Sequence, residues 1–109
     1  KEAIVTLAER GVLDSLTSII CYNDQMAEGA IEELKVRGYS VPDDISIIAF
    51  DNDPRCLNYE LTTGFFPYAE NAAEATKKFI KRINDNSDSY VNMSIKPQLV
   101  ERKSVKDIS

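Results

Sequence analysis

Two polar residues hold equivalent places in this chain. Asn23 follows a short apolar run at residues 18–22, Ser-Ile-Ile-Cys-Tyr, and Asp51 follows a second at residues 45–50, Ile-Ser-Ile-Ile-Ala-Phe. Short, apolar, partly β-branched runs have the composition of buried strands. Each polar side chain therefore stands just past the carboxyl end of a predicted strand. Open parallel sheets bind ligands at that edge. The two side chains lie roughly 5 Å apart if the strands are neighbours, or about 10 Å if one strand intervenes. A carboxamide donates and accepts hydrogen bonds, whereas a carboxylate only accepts, so the pair suits a molecule bearing several hydroxyls. The same two positions also fit a turn residue and a loop start with no ligand at all.

The segment between them must bring them together. Within residues 25–37, Met26, Ala27, Ala30, Ile31 and Leu34 fall on one helical face, with Glu28, Glu32, Glu33 and Lys35 mostly elsewhere. Asp24 is the predicted N-cap, accepting from the backbone N–H of Met26 or Ala27. Gly38 suits the left-handed position past the helix end, and Val41-Pro42-Asp43-Asp44 reads as a turn. Two strands joined by one helix pair in parallel, with a right-handed crossover.

Upstream, residues 2–10 carry Ile4, Val5 and Ala8 on one face, and Gly11 follows as a stop signal. With residues 12–17 as a connection, the order is helix–strand–helix–strand, half of a doubly wound α/β sheet. Downstream of Asp51, residues 52–60 read as a loop with one helical turn after Pro54. Leu57 and Tyr59 supply apolar surface there; they either fold back on the core or meet a second subunit, where Tyr is enriched. Residues 61–65 form a short extended piece. Residues 68–83 keep helical spacing, with Lys77, Lys78, Lys81 and Arg82 in the last turns, where cations favour the helix dipole. A solvated helix end outweighs a nucleic-acid contact as the reading of that cluster. Residues 84–89 form a polar loop, and residues 97–104 a closing strand.

Composition narrows the function. The 109 residues make one domain or less, and 43% hydrophobic content with 4 Gly and 4 Pro argues for a globular chain. No apolar run approaches the ~20 residues of a membrane span. The net charge is −5, so this segment is not expected to bind nucleic acid itself. There are 0 His, which removes the commonest general base and metal ligand. Gly29 stands alone inside a helical pattern and makes no phosphate loop. Asp51 and Asp53 read as solvated loop carboxylates more readily than as metal ligands. No catalysis, metal or cofactor is expected. Cys21 and Cys56 form no Cys-x-x-Cys pair, and Cys21 reads as a small buried hydrophobe. Two unpatterned cysteines fit a reducing, cytoplasmic setting. Residue 1 is Lys inside a helical pattern, so the chain is expected to be a piece of a longer protein.

Four stretches occur in a telling order: Asn23-Asp-Gln-Met-Ala-x-Gly-Ala, Gly38-x-x-Val-Pro-x-Asp-Ile-Ser-Ile-x-x-Phe-Asp51, Leu61-Thr-Thr and Leu99-Val-Glu-Arg-Lys-Ser104. Together they resemble the effector-binding core of LacI/GalR-type bacterial transcription regulators, over nearly the whole chain. The resemblance implies an incomplete periplasmic-binding-protein-like lobe with a three-layer, Rossmann-like parallel sheet. Residues 1–61 are then part of the C-terminal lobe. Residues 62–96 are a crossing and an excursion helix that packs with the other lobe, and residues 97–109 are a return strand and tail. The DNA-binding domain is a separate N-terminal one.

The resemblance also implies roles by position. Asn23 and Asp51 match residues that hydrogen-bond effector hydroxyls. Phe66 and Tyr68 stand where sugar-responsive members often carry a Gln and an aromatic residue; the Gln is missing, and Phe66 either stacks on a sugar ring or packs the helix start. Thr62, Thr63, Val100 and Arg102 match interlobe crossings, or hinges. Met26, Gly29, Ala30, Leu57 and Tyr59 fall where homodimers meet. The implied protein is a cytoplasmic regulator whose operator affinity answers to a sugar-like effector. The alternative is an extracytoplasmic sugar-binding protein of a transporter, which shares the fold and much of the Asn23 motif.

Overall fold

The computed structural model describes residues 1–88 and 90–109. In chain order the elements are α1 (Glu2–Glu9), a 3-10 turn (Leu13–Ser15), β1 (Ser18–Ile20), α2 (Asp24–Val36), β2 (Ser46–Phe50), a 3-10 helix (Pro54–Tyr59), β3 (Thr62–Phe65), α3 (Tyr68–Asn84) and β4 (Gln98–Val100). The chain divides into two compact units, residues 1–65 with 99–109, and residues 66–98.

The first unit holds the sheet, in which four strands lie in the order β1-β2-β3-β4. β1 is parallel to β2, pairing Ile20 with Ile48, and β2 is parallel to β3, pairing Phe50 with Gly64. This is the parallel α/β arrangement expected from the strand–helix–strand order. The α2 helix covers β2 and packs against α1. Its buried face is Ala27, Ala30 and Leu34, which meets Ile45, Ile47 and Ala49 from β2 and its approach, with Ile4, Leu13, Cys21, Cys56 and Leu61 completing the core. Gly64 has no room for a side chain: a Cβ there would lie 2.5 Å from Cδ1 of Phe50, across the strand pair.

Several boundaries differ from expectation for identifiable reasons. The helix begins at Asp24, because Asn23 is its N-cap: the Asn23 side chain accepts from Met26 N at 2.8 Å. β1 ends at Ile20, although Cys21 N still donates to Ile48 O at 2.9 Å. β2 begins at Ser46, because Ile45 N is turned back to Ser40 O. The segment after Asp51 is more regular than a loop. Pro54 starts a six-residue 3-10 helix, capped by the Asp53 carboxylate accepting from Arg55 N at 2.9 Å. β4 is only three residues long, since residues 102–104 hold the sheet by individual bonds instead of a continuous ladder. Gly38 is left-handed at φ +87°, as a helix C-terminus favours.

The second unit is α3 and the segment after it. Among the described residues, α3 buries none of its side chains. Phe79, Ile80 and Ile83 form an exposed apolar stripe. Arg82 lies over the Tyr90 ring at 5.4 Å and donates through Nε to Ser87 O at 2.9 Å. The polar loop expected at residues 84–89 follows α3; position 89 lies outside the described residues.

Candidate functional site

Asn23 and Asp51 both follow the carboxyl ends of neighbouring parallel strands, and each lies equally far past the paired residues Ile20 and Ile48. The Asn23 oxygen caps α2 through one of its two lone pairs, which leaves the N–H2 group and the second lone pair to offer a ligand. The Asp51 carboxylate is exposed. A donor past one strand end and an acceptor past the next match a molecule with hydroxyls, which can accept from Asn23 and donate to Asp51.

Asp51 and Asn52 are both left-handed, at φ +106° and +52°. Such φ values are uncommon outside glycine, and Asp and Asn tolerate them best. The loop is held amide by amide. Asp51 N donates to Gly64 O at 2.9 Å, Asn52 N to Thr63 Oγ1 at 3.2 Å, and Asp53 N to Asp24 Oδ2 at 2.7 Å. Asp24 is 2% exposed, and its other carboxylate oxygen accepts from Thr63 Oγ1 at 2.8 Å. The residue read from the sequence as a helix cap is instead a buried acceptor that joins α2, β3 and the loop. A buried carboxylate needs such donors, because desolvation is otherwise costly. On the outer side, Arg55 bonds to the Asp53 carboxylate and Gln25 adds a bond at 3.2 Å, holding that carboxyl well below the usual carboxylate range.

Of the residues matched to crossings, Thr62 and Arg102 lie in a second network. Thr62 is 5% and Thr63 0% exposed. Thr62 Oγ1 and the Arg102 backbone exchange bonds at 3.0 Å. The Arg102 guanidinium donates to Leu61 O at 2.8 Å and to Asn52 Oδ1 at 2.6 Å. Ser104, quoted above as the end of the fourth stretch but given no role there, is the centre of the closure. Its Oγ donates to Ile47 O at 2.6 Å and accepts from Thr62 N at 2.8 Å. Val100 ends β4 and is half-buried.

The interface candidates are split. Met26 and Leu57 are exposed, at 55% and 52%. Ala30 is a core residue, 4% exposed, because it lies on the α2 face that meets the sheet; it offers no surface to a partner. Gly29 backs onto Lys1 at the start of α1, where an added Cβ would lie 3.4 Å from the Lys1 nitrogen. Tyr59 folds partly onto the core, with its hydroxyl 3.1 Å from Glu28 and 3.0 Å from Glu32. The bond to Glu32, then desolvation and Glu28, push its phenol up to about 12.

In the second unit, Phe66 and Tyr68 form a stacked pair with ring centroids 5.7 Å apart. Phe66 is half-buried and Tyr68 exposed. Burial pushes the thiols of Cys21 and Cys56 up. Among the described residues no group of three His, Cys, Asp or Glu is placed to hold a metal. No described helix is long and apolar enough to cross a membrane.

Comparison with known proteins matches residues 2–105 to the family described as periplasmic binding protein-like domain. A relative, the HTH-type transcriptional repressor PurR of Pasteurella multocida, is 40% identical over 92 residues, covering 83% of this chain and 28% of its own length. A LacI-type transcription regulator from Bifidobacterium animalis subsp. lactis superposes with a TM-score of 0.84 at 36% identity, over 96% of this chain and 38% of that one. A LacI family regulator from Enterococcus faecium, with bound ribose, gives a TM-score of 0.79 at 25% identity, over 97% of this chain and 40% of that one. The chain thus spans 28% of the length of the curated repressor it matches.

Proposed function

Since the chain belongs to the periplasmic-binding-protein-like domain family, in the branch found in LacI-type transcription regulators, we propose that it is part of the effector-binding core of such a regulator. The effector is a small, hydroxyl-rich molecule of sugar type. Asn23 donates to it and Asp51 accepts from it. The observation that carries this reading is the pair itself: an amide with free N–H groups and an exposed carboxylate, level with each other past adjacent parallel strands. The ribose bound by the Enterococcus faecium regulator supports the sugar class. The Phe66–Tyr68 pair offers an aromatic face in its own unit, suited to the C–H face of a sugar ring.

The longer protein acts as a cytoplasmic, non-catalytic homodimer that contacts operator DNA through a separate N-terminal domain. Met26, Leu57 and Tyr59 lie at the subunit contact. The relatives' names as repressors favour this reading over a transporter's sugar-binding protein. Residues 1–61 and 97–109 belong to one lobe and residues 62–96 to an excursion, with Thr62, Thr63, Val100 and Arg102 at the crossings. A ligand shifts such a two-lobed equilibrium only by its differential affinity for the two states. Typical couplings of about 1–3 kcal/mol change operator affinity by roughly 5- to 150-fold.

The test is operator titration of the full-length regulator at one salt concentration, with and without a panel of pentoses, hexoses and disaccharides. Asp51→Ala should weaken the active sugar by about 10- to 150-fold, the loss of a charged acceptor, and leave sugar-free operator affinity nearly intact. A sugar that binds tightly without altering operator affinity refutes the allosteric reading. An Asp51→Ala protein that responds like the parent refutes the contact.

A further inference from the structure

We infer that Asp24 and Arg102 are positioning residues for the ligand carboxylate Asp51; the inference rests on the reading of Asp51 given above. The loop at residues 51–53 takes two successive left-handed residues, neither of them glycine. Non-glycine residues in that region cost free energy and persist only where surrounding contacts over-determine them. Here the contacts come from both sides. From α2, Asp24 takes the Asp53 amide and the Thr63 hydroxyl, and that hydroxyl takes the Asn52 amide. From the return segment, the Arg102 guanidinium takes the Asn52 side-chain oxygen, 50 positions away in sequence. The same guanidinium is fixed to Leu61 O, immediately before β3. Every backbone N–H from residue 51 to residue 53 thus ends on a different acceptor.

The consequence is functional. Among the described residues the Asp51 side chain makes no hydrogen bond, so the direction of its Cα–Cβ bond is set by its backbone. That backbone is set by an acid on the helix and a cation on the return crossing. Arg102 therefore links the residues matched to a hinge with the residue that meets the ligand. A shift of the crossing is transmitted to Asp51 through Asn52, and ligand at Asp51 is transmitted back by the same bond.

The test uses amide hydrogen exchange of the full-length, ligand-free protein, so it does not depend on the effector being known. Arg102→Met removes the guanidinium and keeps the length of the stem; Asp24→Asn keeps the shape and removes the charge. Losing a hydrogen bond to a charged group should speed exchange at Asn52 and Asp53 by about tenfold or more. The β2 amides at residues 46–50 should keep their parent rates. Adding Asn52→Gly to Arg102→Met should restore slow exchange at Asp53, since glycine takes the left-handed conformation without a tether. Unchanged exchange at residues 52 and 53 in Arg102→Met overturns the proposal. So does a loss of protection spread evenly over the sheet, or no recovery with glycine. If Asp24→Asn fails to fold, Arg102→Met carries the test. If the clamp fails while Asp51→Ala still weakens sugar binding, Asp51 remains a contact and only its positioning is wrong.

Discussion

Removing one oxygen atom at position 104 should weaken the sheet measurably. Ser104 is 2% exposed, and its hydroxyl closes two bonds between strands that are not adjacent to it in sequence. It accepts from Thr62 N at 2.8 Å and donates to Ile47 O at 2.6 Å. Ser104→Ala keeps the backbone bonds of the residue, from its N to Glu60 O and from Ile47 N to its O. What it loses is an acceptor for the buried Thr62 N–H and a donor to the buried Ile47 carbonyl. Leaving a buried polar group without its partner costs about 1–3 kcal/mol, so the expected loss is about 2 kcal/mol. With a urea m-value of about 1–2 kcal/mol/M for a chain this size, the midpoint should fall by about 1–2 M with the slope unchanged. Urea unfolding followed by circular dichroism reads this directly. Ser109→Ala is the control, since Ser109 is exposed and, among the described residues, bonds only to Asp107; it should stay within about 0.5 kcal/mol of the parent. A Ser104→Ala midpoint equal to that of Ser109→Ala would refute the argument, and would mean that the Thr62 amide finds another acceptor.

Gly64→Ala should destabilise by about 1–3 kcal/mol through overpacking against the Phe50 ring, and Phe50→Leu in the same chain should recover part of it in the same unfolding assay. Tyr59 has a folded-state value raised from 10.0 to about 12, so its neutral form is favoured by folding; that stability is fully present below pH 10 and is lost as pH rises towards 12. Alkaline ultraviolet titration should show a late phenolate step near pH 12, and Tyr59→Phe should abolish it. Tyr59→Asp in the full-length regulator should weaken the dimer in sedimentation, because a third carboxylate would join Glu28 and Glu32 at the proposed contact; an unchanged oligomer would remove Tyr59 from the interface.

The framework was legible because it rests on local rules. Two apolar runs, a helical face and Gly38 as a stop place Asn23 and Asp51 at one sheet edge, and the structure has those strands adjacent. Side-chain wiring was not legible. Asp24 reads as an N-cap because an acid after a strand usually is one; only the distant Thr63 and the Asp53 amide reveal it as a buried acceptor. Ala30 reads as a small residue open to close approach, because helical spacing tells which residues share a face but not which way the face looks. Ser104 carries no sequence signal of its own, since a serine in a strand-like stretch is ordinary until its two buried partners are known.

The closure by residues 102–106 also sets an order of events during synthesis. Ser104 reaches back 57 positions to Ile47, and Lys106 reaches back 60 positions to the Ser46 hydroxyl. The whole of the second unit, residues 66–98, is made between the two halves of the first. At bacterial rates of about 5–20 residues per second, β1–β3 must wait seconds outside the ribosome before their last partners exist. In that interval the Thr62 amide and the far edge of β3 are open templates for strands of other nascent chains. A stop codon before position 102 would leave the Thr62 amide without the Ser104 hydroxyl and the Leu61 carbonyl without the Arg102 guanidinium, and so keep that edge open for the life of the product.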